Sequence, residues 1–154
     1  MISVKELMIG DLVNYRPGWI NEETSQVEYE SGTGFPVRIE MLYYNHGEGL
    51  VQYNDGENDG IEAAEYELFP IPLTDEILKK NKMREFEHRN PGQGDNLIKK
   101  WWHNDGSYYV SLYWVGDECT YTVGDSVTRI CRIKYVHQLQ HALRLCGIEK
   151  EIII

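Results

Sequence analysis

The chain has 154 residues, is 42% hydrophobic and 26% charged, and carries a formal net charge of −10. That composition is ordinary for a globular chain of one or two small domains, and no apolar run approaches the roughly 18 residues of a membrane span. The opening "MISVKELMIG" lacks the basic-then-apolar order of a secretory leader, so a cytoplasmic protein with no membrane contact is expected.

In chain order, Ser3 with Glu6 three residues on reads as a capped helix start, broken at Gly10-Asp11. "LVNY" (12–15) and "QVEY" (26–29) read as strands. "VRIEMLYY" (37–44) is the best strand of this half, with Val37, Ile39 and Met41 on one side and Arg38 and Glu40 on the other. "HGEG" turns it into "LVQY" (50–53), a hairpin, and "YELFPIPL" (66–73) reads as an edge-like strand because prolines cannot donate to a ladder. A short helix and about five strands predict a small Src-homology-3-like β-barrel over residues 1–73.

Residues 74–154 read differently. Thr74 caps a helix of about two turns that carries Asp75 and Glu76 at its start, Lys79 and Lys80 at its end and Asn81 as its stop. "EHRNPGQGDN" (87–96) reads as a loop, and its "GQG" has no Gly-Lys-Ser/Thr to complete a phosphate loop. "LIKKWWH" and "SYYVSLYWV" flank Asn104-Asp105-Gly106, a strong hairpin signal, and "CTYTV" and "VTRICRIKY" continue the meander. In "YVHQLQHALRLCG" (135–147), Val136, Leu139, Leu143 and Cys146 recur at helical spacing beside Ala142, and Gly147 stands where a left-handed cap is expected. The fold class is therefore α+β: the small barrel, then an antiparallel ββββα module.

Charge divides along the same line. Residues 1–75 carry fifteen acids against Lys5, Arg16 and Arg38, whereas residues 76–154 carry ten acids against twelve bases. An acidic first half repels phosphate and suits either solubility or a cationic protein partner. Cys119, Cys131 and Cys146 are odd in number and widely spaced, which fits reduced, packed thiols rather than a disulfide framework or zinc knuckle.

Three constellations invite chemistry. His137 and His141, four apart on a helix, suit two-point metal binding, but Gln138 stands where a zinc protease carries its glutamate, and Arg144 opposes a cation. They are weak metal candidates that would need a carboxylate such as Asp105 or Asp125; the plainer reading is a hydrated or hydrogen-bonded pair on the wet face. Asp55, Glu57, Asp59 and Gly60 partly match a calcium loop, but Tyr66 stands where the bidentate glutamate belongs. Around "KKWW", aromatic and basic residues crowd one predicted sheet. Lys99, Lys100, Trp102, Tyr109, Tyr113 and Arg132 are the candidate binding residues, suited to stacking bases or forming a protein hot spot.

"VKELMIGDLVNY", "LFPIPLTDEILKKN" and "IKYVHQLQHALRLCGIEKEI" resemble blocks of a family of short uncharacterised proteins from Bacteroides-group bacteria, their phages and mobile elements. The family pattern has Asn at His141 and Asn-Gly at Asn81-Lys82. The resemblance implies a phage or mobile-element accessory protein and carries over no functional residue. With no cofactor or complete catalytic set expected, the residues point to a non-enzymatic binding protein, and the resemblance implies that it acts on a host macromolecule, most simply a host protein, as inhibitor or adaptor. The alternative is nucleic-acid or nucleotide recognition through residues 97–134.

Overall fold

The computed structural model describes residues 1–32, 34–55, 57, 60–89, 97–104, 109–114, 121–124 and 129–154, with backbone alone between 86 and 132. The chain forms two compact units, Met1–Ile71 and Pro72–Ile154. Both are rich in antiparallel strands and poor in helix. No helix among the described residues is long and apolar enough to cross a membrane.

Unit 1 contains β1 (Leu12–Tyr15), β2 (Gly18–Ile20), β3 (Val27–Tyr29), β4 (Phe35–Asn45), β5 (Glu48–Asn54), β6 (Ile61–Ala64) and β7 (Leu68–Phe69). Five of them form one curled antiparallel sheet in the order β6-β5-β4-β1-β7, while β2 and β3 pair apart as a small hairpin. "QVEY" is thus a strand outside the main sheet. Its expected place is filled by β6, whose "IEAA" has only one β-branched residue to announce it. The core gathers Val4, Leu7, Val13, Val37, Ile39, Val51, Tyr53 and Leu68, and full burial of such a side chain contributes about 1.5–3 kcal/mol.

Two expectations need correction. The opening helix is a single 3-10 turn, Val4–Glu6. Ser3 accepts from the Lys5 amide, but the carboxylate that completes the cap is not Glu6. Oε2 of Glu65 accepts from Val4 N–H (3.1 Å) and Ser3 Oγ (3.4 Å). In β4 the register against β5 shifts between Ile39 and Met41. Such a bulge resets the two-residue alternation. Val37 and Ile39 are buried, Met41 is exposed, and Leu42 takes its place against the core.

Unit 2 contains α1 (Asp75–Lys80), β8 (Arg84–Arg89), β9 (Leu97–Asn104), β10 (Tyr109–Trp114), β11 (Tyr121–Gly124), β12 (Arg129–Ile133) and α2 (Val136–Leu145). Its sheet has five strands in chain order, not four. The added strand, "REFEHR", has one apolar residue among charged and polar ones, and its last three residues overlap the expected loop 87–96. The 104–106 turn and "GQG" fall wholly or largely outside the described residues.

Both helices close as their sequences demand. Thr74 Oγ1 accepts from the Ile77 amide. Gln138 Oε1 accepts from the amides of Lys134 and Tyr135, fixing the start of α2. Gly147 has φ of +71°, with Gly147 N–H to Arg144 O and Ile148 N–H to Leu143 O, a Schellman closure over buried Ile148. The same pattern ends α1 with a lysine: Lys82 has φ of +57°, with Lys82 N–H to Lys79 O and Met83 N–H to Leu78 O. Asn81, 4% exposed, donates through Nδ2 to the carbonyls of Ile77 (2.8 Å) and Ile153 (2.7 Å) and accepts at Oδ1 from Ile153 N–H (2.9 Å). One side chain therefore joins the end of α1 to the C-terminal tail.

Candidate functional site

Within unit 1 the β4–β5 turn, the two 3-10 turns and the β2 strand surround a cleft of about 390 Å³. It forms because several local features converge. His46 (φ +50°) and Gly47 (φ +91°) make a tight two-residue turn with both residues left-handed, the geometry that matches strand twist. Gly49 lies where a Cβ would come within 2.6 Å of Glu65 Oε2 and 3.0 Å of Val4 Cβ, so only glycine lets the hairpin close on the opening segment.

Glu67 holds the far wall. Its Oε1 accepts from Tyr15 OH (3.3 Å) and Gly18 N–H (3.1 Å), and its Oε2 from Ala64 N–H (2.8 Å). Tyr29 OH donates to Tyr66 O (3.0 Å), and the Arg16 guanidinium lies 4.9 Å from the centre of the Tyr29 ring. These bonds tie β1, the β2–β3 hairpin and the Glu65–Glu67 turn, the second 3-10 turn, into one frame.

The lining combines Met1, Ile20, Tyr44 and Tyr66 with the carboxylates of Glu48 and Glu65 and the ammonium of Lys5. Met1, Ile20 and Tyr44 are more than half exposed. Burial, and then the charges of Glu67 and Glu48, hold the Tyr66 phenol above its usual range. The cleft therefore pairs apolar and aromatic surface with two carboxylates and one ammonium. Sequence reasoning missed it. Glu65 and Glu48 looked like members of a dispersed acidic half, and the fold brings Glu65 to Ser3 and Val4 from more than sixty residues away.

The residues singled out from sequence lie elsewhere. In the unit 2 sheet, Lys100 stands opposite Tyr113, Tyr113 opposite Thr122, and Thr122 opposite Arg132, one row across four strands. Trp102 stands opposite Ser111, and Tyr109 opposite Asn104. By strand alternation Lys100, Trp102, Tyr109, Tyr113 and Arg132 occupy rows of one parity. Arg84, which is exposed, stands opposite Trp102. Lys99 occupies the other parity, in the row that runs through Trp114 and Tyr121 to buried Ile133.

On α2, His137 does not lie on the wet face expected, whereas His141 is half-buried. His137 is 2% exposed and stacks on Tyr135 at 5.8 Å and 11°, while His141 meets it edge-on at 5.8 Å. The turn that bends Lys134 and Tyr135 back onto Gln138 brings Tyr135 over His137. Among the described residues no group of three or more His, Cys, Asp or Glu is placed to hold a metal ion. Asp105, Asp125 and Cys119 lie outside the described residues, and Cys146 is a half-buried free thiol at the end of α2. In the partial calcium-loop match, Asp55 Oδ1 accepts from Glu57 N–H (2.9 Å), while Asp59 is outside the described residues. Scans against protein-family models, curated proteins and solved structures gave no match.

Proposed function

We propose that the chain is a non-enzymatic phage or mobile-element accessory protein, a member of the Bacteroides-group family it resembles, that binds a cationic host protein through unit 1. The observation that carries this reading is the fate of the charges. Of the three bases in unit 1, Arg16 lies against Tyr29, Arg38 donates to the Gly10 carbonyl, and Lys5 is exposed. Glu22, Glu23, Glu28, Glu30 and Glu40 are all exposed. These five acids face water while two of the three bases are used within the fold, so unit 1 presents a negative field that steers cationic partners and repels nucleic acid.

We further propose that unit 1 is a Src-homology-3-like barrel. Three features support that reading: the order β6-β5-β4-β1-β7, the 3-10 turn between β6 and β7, and the long β1–β4 connection carrying its own hairpin. Such a scaffold offers loops on a rigid sheet, an arrangement suited to an inhibitor or adaptor.

Affinity capture from host lysate, compared at low and high salt, tests the function. The expected result is a basic protein retained at low salt and lost both at high salt and when Glu22, Glu23, Glu28 and Glu30 are changed to Gln. Capture that is indifferent to salt and to those substitutions would refute the charge-based reading.

The row Lys100–Tyr113–Thr122–Arg132, with Trp102 of the same parity, favours a second reading, in which unit 2 binds single-stranded nucleic acid or a nucleotide. Fluorescence anisotropy with short single strands at low salt checks it. Binding that weakens in Lys100→Ala and Arg132→Ala supports this reading, and no binding at micromolar protein rejects it for polynucleotides.

A further inference from the structure

We infer that the unit 1 cleft is the docking site for an arginine of the partner protein, presented by a basic segment with apolar neighbours. This rests on the cationic-partner reading above and assigns it a place. A cleft of about 390 Å³ has room for one or two side chains and not for a folded element. Its walls offer two kinds of contact at once. Tyr44, Tyr66, Ile20 and Met1 provide apolar and aromatic surface, while the two carboxylates of Glu48 and Glu65 outnumber the single Lys5 ammonium.

An arginine satisfies both, with a planar head for carboxylates, a face that stacks on tyrosine and an apolar stem. Glu65 is already oriented: Val4 N–H and Ser3 Oγ both bond to its Oε2, leaving Oε1 for a guanidinium. Gly49, by its lack of a side chain, keeps that carboxylate against the hairpin. The negative field of Glu48 reaches the Tyr66 phenol, so a cation beside that ring is favoured. Apolar residues next to the arginine would cover Ile20 and Met1, which are 52% and 64% exposed.

Isothermal titration of the full chain with a short peptide tests this. The peptide carries one arginine between apolar residues; lysine and citrulline counterparts and free arginine serve as comparisons. The arginine peptide is expected to bind and the citrulline peptide, of equal shape but without charge, is not. Glu48→Gln should weaken binding by at least about fivefold, and Tyr44→Ala similarly, whereas Glu57→Gln, exposed in the β5–β6 connection, should leave it unchanged.

Four outcomes overturn the inference. Equal losses in Glu48→Gln and Glu57→Gln would mean diffuse charge attraction, which leaves the acidic-surface reading standing. Free arginine binding as tightly as the peptide would make the cleft a small-cation site. A self-association abolished by Glu48→Gln would make the occupant a second copy. No arginine-peptide binding alongside salt-sensitive lysate capture would remove the cleft alone.

Discussion

At the residue scale, the two left-handed helix ends show how one motif is built from different residues. Gly147 adopts its positive φ without a Cβ penalty, but Lys82 adopts φ of +57° with one. Lys82→Gly should therefore stabilise unit 2 by about 0.5–1 kcal/mol, the relief of strain being partly offset by a more flexible unfolded chain. A rise in urea midpoint at constant slope would verify it. Asn81 beside it is legible only as a helix stop; its second role depends on the tail, 72 residues on. Asn81→Ala should cost about 2–3 kcal/mol, because carbonyls and an amide around Ile153 and Ile77 lose a buried partner. Urea unfolding monitored by circular dichroism measures it, and a cost below about 0.5 kcal/mol would show that water replaces the side chain.

At the element scale, what could be read from sequence was what is decided locally. The Thr74 cap, the Gly147 closure and the β4–β5 hairpin each depend on a handful of neighbouring residues. The missed elements lack such signals. β6 has one β-branched residue, and β8 alternates Arg, Glu and His instead of setting apolar against polar, so neither stands out until its partner strand is present. The bulge in β4 is likewise a property of the β4–β5 pairing. It predicts an inversion of the simple alternation: Leu42→Ala should destabilise unit 1 by about 1–2 kcal/mol, while Met41→Ala stays within about 0.5 kcal/mol. Equal costs in chemical denaturation would contradict the shifted register. The cleft itself could not be read, since it needs Met1–Lys5, Tyr44–Gly49 and Ala64–Tyr66 together.

At the scale of the whole molecule, the acidity that repels phosphate coexists with tyrosines held protonated. Tyr15 is pushed well above the ordinary phenol range, first by burial and then by Glu67, and burial raises Tyr53 and Tyr66 as well. In the folded chain these phenols keep their protons at pH values where the unfolded chain has released them. Their contribution to stability is therefore fully present below the unfolded value of about 10 and falls as pH rises beyond it. The expected result is alkaline unfolding of unit 1 that begins above pH of about 10, with phenolate absorbance for these tyrosines appearing together with loss of structure. Phenolate formation that runs ahead of unfolding would show them to be more open to water than their burial implies.

The Asn81 joint also fixes the route that a pulling force takes. Both the N–H and the C=O of Ile153 are held by one side chain at the end of α1, and Lys80 Nζ grips the Ile154 carbonyl at 2.6 Å. Tension applied through the last residues enters unit 2 at α1 before it reaches α2, from which residues 148–152 separate it. Under load the first event is the parting of a side-chain clasp, after which the tail peels away from buried Ile152 before the Schellman closure at Gly147 is touched.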